Sequence, residues 1–132
     1  MFKLEPEDVR VLENIEEEIA KGAQIFFAVD ETNNSVMSCA MIAPIGEDVW
    51  EFEKFATRPE YSGRGLGSLC LNECIEYARC NGAKRILIVT NTKCASAVHL
   101  YRKNGFKEVP INKEVFPFER GNISFELSLD EN

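Results

Sequence analysis

The chain has 132 residues, of which 45% are hydrophobic and 28% charged, and its formal net charge is −7. These values are ordinary for a globular protein, and the length predicts a single domain over residues 1–132. The negative charge argues against a nucleic-acid partner, because such binding depends on Lys and Arg neutralising phosphates. No apolar run approaches the ~20 residues that a membrane span needs, so we expect no membrane association.

The N-terminus and the cysteines favour an intracellular protein. The first residues, MFKLEPEDVRVL, carry charges too early and too often for a signal peptide. The five cysteines are odd in number and form no CxxC pair, which disfavours a disulfide framework. Cys70 and Cys74 share a helix face but lack the further ligands that a metal needs, so core packing is expected instead. We therefore expect a reduced, cytoplasmic protein without a metal site.

The first half of the chain predicts one helix and three strands. The helix covers residues 5–21, where apolar residues recur at the helical period. Two strands over 24–29 and 36–43 follow, joined by a turn, and a third strand covers 49–57. Its alternation slips at Lys54–Phe55, which predicts a β-bulge at that point.

The second half alternates helices with strands. Helices are predicted over 66–79 and 94–104, and strands over 85–90, 106–109 and 123–129. The strand at 85–90, RILIVT, is almost continuously apolar and is expected at the centre of a sheet. In the last strand, alternation places Ser124 on the outward face. These elements predict one mixed α/β layered domain without an internal repeat.

A glycine-rich loop, SGRGLG at residues 62–67, leads directly into the predicted helix over 66–79. Glycine at positions 63, 65 and 67 lets an anion approach the backbone and permits left-handed dihedrals. The first N–H groups of the helix have no internal partner, and the helix dipole leaves that end partly positive. The junction is therefore typical of a phosphate site. Its spacing matches neither the Walker A loop nor the dinucleotide fingerprint.

Two segments in this order resemble the signatures of the GNAT N-acetyltransferase superfamily. The loop at 62–67 is similar to the R/Q-x-x-G-x-G/A motif, which grips the diphosphate of acetyl-CoA. Leu100–Phe106, LYRKNGF, is similar to the L-Y-x-K-x-G-F motif that closes the cofactor-binding half. The resemblance runs from about Trp50 to Val109. One departure is Ser62, which stands where the family has Arg or Gln, so contacts from this position depend more on the backbone.

The resemblance implies an acyl-CoA N-acyltransferase fold. This is a central mixed, mostly antiparallel sheet, flanked by helices and splayed between the strands at 49–57 and 85–90, where the pantetheine arm of acetyl-CoA lies. The N-terminus departs from the pattern, because the family usually has a strand and two helices there. The acceptor side is therefore either open or completed by a second subunit. Separately, the apolar segment 115–118 is compatible with a homodimer that buries it.

The implied activity is acetyl transfer from acetyl-CoA to a primary amine of a small molecule, peptide or protein. The amine attacks the thioester directly, through a tetrahedral intermediate, and a thiolate leaves. The alternative is a non-catalytic CoA-binding sensor or interaction module, which the change at Ser62 and the short N-terminus would allow. Replacing Tyr101 separates the two, because the family's matching tyrosine is the general acid.

Candidate catalytic residues follow from the resemblance. Tyr101 is the candidate acid for the thiolate, since its reference pKa of about 10 is close to that of an alkyl thiol. From periodicity alone it would be a core residue. Glu51 and Glu53 are candidate bases for the amine, on the strand face opposite Trp50 and Phe52. They are equally interpretable as two exposed strand acids.

Candidate cofactor-binding residues lie in three places. The backbone at Phe55, Ala56 and Thr57 is expected to pair with pantetheine. The diphosphate is assigned to the loop and helix start: Ser62, Gly63, Arg64, Gly65, Leu66, Gly67 and Ser68. Asn91 is expected to hold the cofactor or to cap a turn, and Lys103 to reach the diphosphate less directly. His99, two residues from Tyr101, lies on nearly the opposite helix face and is expected outside the site.

Overall fold

The computed structural model describes residues 22–111 and 121–129, which form a six-stranded sheet with two α-helices. The strands are β1 (Gln24–Asp30), β2 (Ser35–Pro44), β3 (Val49–Thr57), β4 (Arg85–Thr90), β5 (Lys107–Val109) and β6 (Ile123–Ser128). The helices are α1 (Leu66–Cys80) and α2 (Ala95–Lys103), and a short 3-10 helix covers Pro59–Tyr61. The predicted helix over 5–21 and the apolar segment 115–118 lie outside the described residues.

The sheet is split between its two central strands. Its order is β1-β2-β3-β4-β6-β5, and every neighbouring pair is antiparallel except β3 and β4. These two run parallel because α1 connects them as a crossover. They pair only where Val49–Glu51 faces Arg85–Leu87, and the rest of each strand has no partner in the other. The predicted splay between the strands at 49–57 and 85–90 is therefore confirmed.

The predicted bulge in β3 is also present. Cys39 pairs with Ala56 and Met41 pairs with Glu53, so β3 contains one more residue than β2 over this stretch. Lys54 takes up the irregularity with a left-handed φ of 53°. The extra residue changes the alternation, and Phe55 therefore lies on the same side as Phe52, with ring centroids 5.6 Å apart.

Both helices pack on one face of the sheet and form one core with it. The buried positions of α1 recur at helical spacing: Cys70, Leu71, Cys74, Ile75 and Ala78. They meet the side chains of the sheet's helix-facing side, among them Ile42, Phe52, Ile86 and Phe125. Cys70 and Cys74 are thus core residues, as predicted. Neither described helix has the length and apolar character needed to cross a bilayer.

Ser124 is an exception to the predicted alternation of β6, because it is 2% exposed. The prediction assumed that the face away from the core is open to solvent. Ser124 pairs with Val89 on one side and Val109 on the other, so it lies in an interior strand. Both faces of an interior strand can be covered by other parts of the protein, so the polarity of a side chain alone does not show which face is exposed to solvent.

The buried thiols predict a loss of stability at alkaline pH. Burial raises the pKa of Cys74 and of Cys70 above the usual thiol range. The folded state therefore holds these protons to higher pH than the unfolded chain, and unfolding releases protons in alkali. This contribution to stability is complete below the unfolded thiol pKa of about 8.5 and is lost as the pH rises above it. We expect the unfolding temperature to fall between about pH 8.5 and pH 10.

Thermal unfolding across this pH range tests the assignment. Cys74→Ala is expected to be less stable at neutral pH, because it leaves a cavity, but to lose less stability in alkali. Cys80→Ala changes an exposed thiol and serves as the control, with an unaltered pH profile. An equally steep decline in Cys74→Ala would show that other groups cause it.

Candidate active site

The glycine loop adopts the dihedrals that the sequence predicts. Gly63 and Gly65 have φ values of 81° and 79°, and a Cβ at either position would meet nothing within 4 Å. Glycine is therefore required here by backbone conformation and not by lack of space. Gly65 is the N-cap of α1, and the N–H of Leu69 donates to its carbonyl oxygen at 3.1 Å. The preceding N–H groups, at residues 66–68, have no acceptor within the helix and can receive an anion.

Contacts with neighbouring side chains hold the loop in place. The Ser62 hydroxyl donates to the carbonyl oxygen of Pro59 at 2.9 Å, so this side chain closes the turn before the loop. The Tyr61 hydroxyl donates to Asp30 Oδ2 at 3.4 Å and connects the loop to the end of β1. The Arg64 guanidinium lies over the Tyr61 ring, 5.2 Å from its centroid. The loop is thus braced against the β1–β2 hairpin.

A cleft of about 710 Å³ lies between this loop, the end of β3 and α2. Most of the predicted cofactor-binding residues line it: Phe55, Ala56, Thr57, Ser62, Gly63, Gly65, Leu66, Gly67, Ser68 and Lys103. Two predicted residues, Arg64 and Asn91, are not among its lining residues. The end of β3, the start of α1 and one side of α2 therefore surround the same opening.

Gly67 allows the cleft walls to approach one another. A Cβ at this position would lie 3.0 Å from Phe55 Cζ and 3.1 Å from Leu100 Cδ2, which is closer than side chains normally pack. Gly67 therefore differs from Gly63 and Gly65, because the limited space around it, and not its backbone conformation, favours glycine. It brings the first turn of α1 against β3 and α2 at the floor of the cleft.

Comparison with known proteins decides the family. The model of the acetyltransferase (GNAT) family matches residues 2–106. The chain belongs to the GNAT acetyltransferase family. Among curated proteins, this GNAT chain is similar to the amino-acid acetyltransferases of Yersinia pestis and Yersinia pseudotuberculosis, at 28% identity over 115 residues. The match covers 86% of this chain and 24% of those relatives, so the chain spans about a quarter of their length.

Solved structures show the same fold. A GNAT-family acetyltransferase from Staphylococcus aureus superposes with a TM-score of 0.83 at 22% identity, covering 98% of this chain and 82% of its own. A GNAT-family acetyltransferase from Elizabethkingia anophelis, solved with acetyl-CoA bound, gives a TM-score of 0.70 at 22% identity. That match covers 96% of this chain and 92% of its own. The mixed, split sheet is thus the GNAT fold.

Tyr101, the tyrosine of the second GNAT signature, is 4% exposed. Its ring packs among four phenylalanines at centroid distances of 5.9 to 6.4 Å: Phe52, Phe55, Phe106 and Phe125. Burial, with a smaller contribution from Cys94, raises its pKa above the usual tyrosine range. Tyr101 does not itself line the cleft. Phe55 lines the cleft and its ring contacts that of Tyr101, so Tyr101 lies directly behind the cleft lining.

His99 lines the cleft, and the expectation that it lies outside the site is wrong. Tyr101, two residues further on, turns towards the core, so the two side chains do lie on different helix faces. The cleft lies on the side of His99. The spacing could have predicted the position of His99, because Ser96 and His99 lie on one helical stripe with Lys103, the lysine of the second GNAT signature.

Glu51 and Glu53 lie on the sheet face away from the helices, opposite Trp50 and Phe52, as predicted. Glu51 is 2% exposed, so interpreting it as an exposed strand acid is wrong. Glu53 is half-buried, and its Oε1 lies 3.6 Å from Lys54 Nζ. The described cleft contains neither carboxylate. The glycine loop and the end of β3 line this cleft, whereas the candidate bases do not.

Asn91 has a local contact in the turn that precedes α2. Its Oδ1 accepts a hydrogen bond from the Lys93 N–H at 3.0 Å, and its carbonyl oxygen accepts one from the Cys94 N–H at 2.8 Å. This is the turn role that the sequence left open beside cofactor binding. Among residues 22–111 and 121–129, no group of three or more side chains is suited to hold a metal.

Proposed function

We propose that this GNAT protein transfers an acetyl group from acetyl-CoA to the primary amine of an acceptor. The observation that carries the proposal is the position of the glycine loop. Its N–H groups open onto a cleft that reaches the end of β3, which has no partner in β4 beside the split in the sheet. A diphosphate site and a strand edge able to bind an amide-containing arm thus adjoin the same opening.

The residues present fit acetyl-CoA. N–H groups at the start of α1 suit the diphosphate, since they are unpaired and the helix dipole favours an anion. Residues 55–57 of β3 have no partner in β4, so the backbone groups that face away from β2 are available to the pantetheine amides. The described lining residues include lysine and histidine but no carboxylate, although the chain as a whole is acidic. The cleft is therefore electrostatically suited to a polyanion.

The chain's own groups would then move the protons of the reaction. Glu51 or Glu53 accepts a proton from the amine, through water where the distance requires it. The acetyl group passes directly from the thioester to the amine, and the bond to sulfur breaks. Tyr101 donates its hydroxyl proton to the departing thiolate. Burial raises the pKa of Tyr101, so the phenol is protonated at neutral pH but is a weaker acid than an ordinary tyrosine, whose pKa of about 10 is close to that of an alkyl thiol.

Amino acids are the first acceptors to test. The relatives named amino-acid acetyltransferases support this choice, because an amino acid offers a single primary amine on a small molecule. A peptide amine is the next class. The five free cysteines support a reducing, cytoplasmic location, and a homodimer through residues 115–118 stays a prediction.

A non-catalytic CoA-binding module is the second candidate. The burial of Tyr101 away from the cleft favours it, because a module that only binds has no need of an accessible acid. The change at Ser62, whose hydroxyl is committed to Pro59, is also compatible with it. Both candidates require CoA binding, so only turnover separates them.

Calorimetric titration with acetyl-CoA, followed by a thiol-release assay with a panel of amino acids, tests the proposal. We expect saturable binding with a Kd on the order of 10 μM and release of one thiol for each acetylated amine. Folded protein that fails to bind acetyl-CoA would exclude the transferase. Binding without transfer to amino acids or peptides would favour the non-catalytic module.

A further inference from the structure

Two lysines and one histidine line the cleft on and just before α2. Lys93, His99 and Lys103 all line the opening and are exposed. None of the described lining residues is acidic, although the chain has a formal net charge of −7. A cationic wall inside an acidic protein focuses anions into the cleft.

These basic side chains differ from most others in the described part of the chain. Five of the other eight are paired with glutamates: Lys54 with Glu53, Arg58 with Glu60, Arg79 with Glu76, Arg85 with Glu126, and Arg102 with Glu108. Within residues 22–111 and 121–129, Lys93, His99 and Lys103 have no carboxylate partner. Their N–H donors, and the positive charges of the two lysines, are therefore available to a ligand.

Two of the three basic side chains are close enough to act together. His99 and Lys103 are four residues apart, which places them one above the other on the same helix face. Lys93 lies outside α2, before the N-cap residue Cys94. His99 and Lys103 are thus a pair, and Lys93 is a separate cation in the same cleft.

We infer that His99 and Lys103 form a second phosphate subsite, which takes the ribose 3′-phosphate of acetyl-CoA. The inference rests on the proposed function. CoA carries a diphosphate and, apart from it, a phosphate monoester with a charge of about −1.5 to −2 at neutral pH. The glycine loop offers N–H dipoles for the first group, on one wall of the cleft. The His99–Lys103 pair offers a full charge and further donors for the second, on the facing wall.

The subsite makes the protein selective between two donors that have the same thioester. Acetyl-CoA and 3′-dephospho-acetyl-CoA differ only in the monoester, so the ratio of their dissociation constants measures the subsite alone. We expect wild-type protein to bind acetyl-CoA about tenfold more tightly, as one or two charge-assisted hydrogen bonds would provide. Lys103→Gln and His99→Gln are each expected to weaken acetyl-CoA binding while the dephospho form binds as before.

Two control variants separate a subsite from a general electrostatic effect. Lys93→Gln removes a cation from the same cleft but not from the pair, and is expected to weaken both ligands in equal proportion. Lys107→Gln removes an exposed cation of β5 that does not line the cleft, and is expected to change neither. All four positions are exposed, so unfolding temperatures should stay at the wild-type value.

The outcomes of the titration are distinct. Equal affinity of wild-type protein for the two donors would overturn the subsite and leave the proposed function intact. A uniform loss in Lys103→Gln and His99→Gln would also overturn it, since the pair would then contact the diphosphate. Failure of folded wild-type protein to bind either donor would overturn the proposed function, and the subsite with it.

Discussion

Replacing Tyr101 with phenylalanine is expected to lower kcat for acetyl transfer by about 100-fold, the usual contribution of a positioned general acid. The ring packs among Phe52, Phe55, Phe106 and Phe125, so phenylalanine fills the same space and the fold is retained. The hydroxyl does not line the cleft, and the Kd for acetyl-CoA should therefore change little. Only the protonation of the departing thiolate is removed.

A second tyrosine provides the matched control. Tyr77 of α1 also packs edge-on against aromatic rings, those of Phe26 and Trp50, but does not line the cleft. Tyr77→Phe is expected to leave both kcat and the Kd unchanged. Steady-state turnover and calorimetry on both variants make the comparison. Unaltered turnover in Tyr101→Phe would remove Tyr101 as the acid and leave the GNAT fold unaffected.

The proposed acid should also function above the pH at which a free tyrosine ionises. Burial raises the pKa of Tyr101, so its phenol stays protonated beyond the ordinary value of about 10. No fall in kcat from ionisation of Tyr101 is therefore expected up to about pH 10. A fall below that pH that disappears in Tyr101→Phe would contradict the raised pKa.

Replacing Gly65 with valine is expected to weaken acetyl-CoA binding by roughly 5- to 30-fold, because a left-handed residue with a Cβ costs about 1–2 kcal/mol. Gly65 has a φ of 79°, and a Cβ there would have no other atom within 4 Å, so the cost arises from the backbone alone. The loop relieves the strain by leaving the left-handed region. Its N–H groups then no longer converge on one point.

Gly82 provides the matched control for the Gly65 variant. It lies in the turn after α1, has a φ of 93°, and likewise has open space around a Cβ. Gly82→Val should therefore lower the unfolding temperature about as much as Gly65→Val, without changing the Kd for acetyl-CoA. Equal weakening of acetyl-CoA binding in the two variants would show that the loss of affinity arises from a less stable fold. Unchanged binding in Gly65→Val would show that the loop does not hold the diphosphate.

Local conformation could be predicted from the sequence because individual residues encode it. The boundaries of the strands at 49–57 and 85–90 follow from their own apolar patterns and agree with the structure. The bulge at Lys54 follows from one break in alternation, and the positive φ of Gly63 and Gly65 from glycine itself. The GNAT signatures add the split sheet, which no local pattern would have shown.

The tertiary structure decided which side chains meet. Whether His99 or Tyr101 faces the cleft depends on the side of α2 that the sheet covers, and helical spacing allows both. The burial of Glu51 and Ser124 likewise depends on what packs over each sheet face, which polarity cannot indicate. The hydrogen bond from Tyr61 to Asp30 joins residues 31 positions apart, so it exists only once the hairpin and the loop are brought together. Sequence by itself determined dihedrals and periodicity, because these are short-range, whereas packing assembled the cleft from residues distant in the chain.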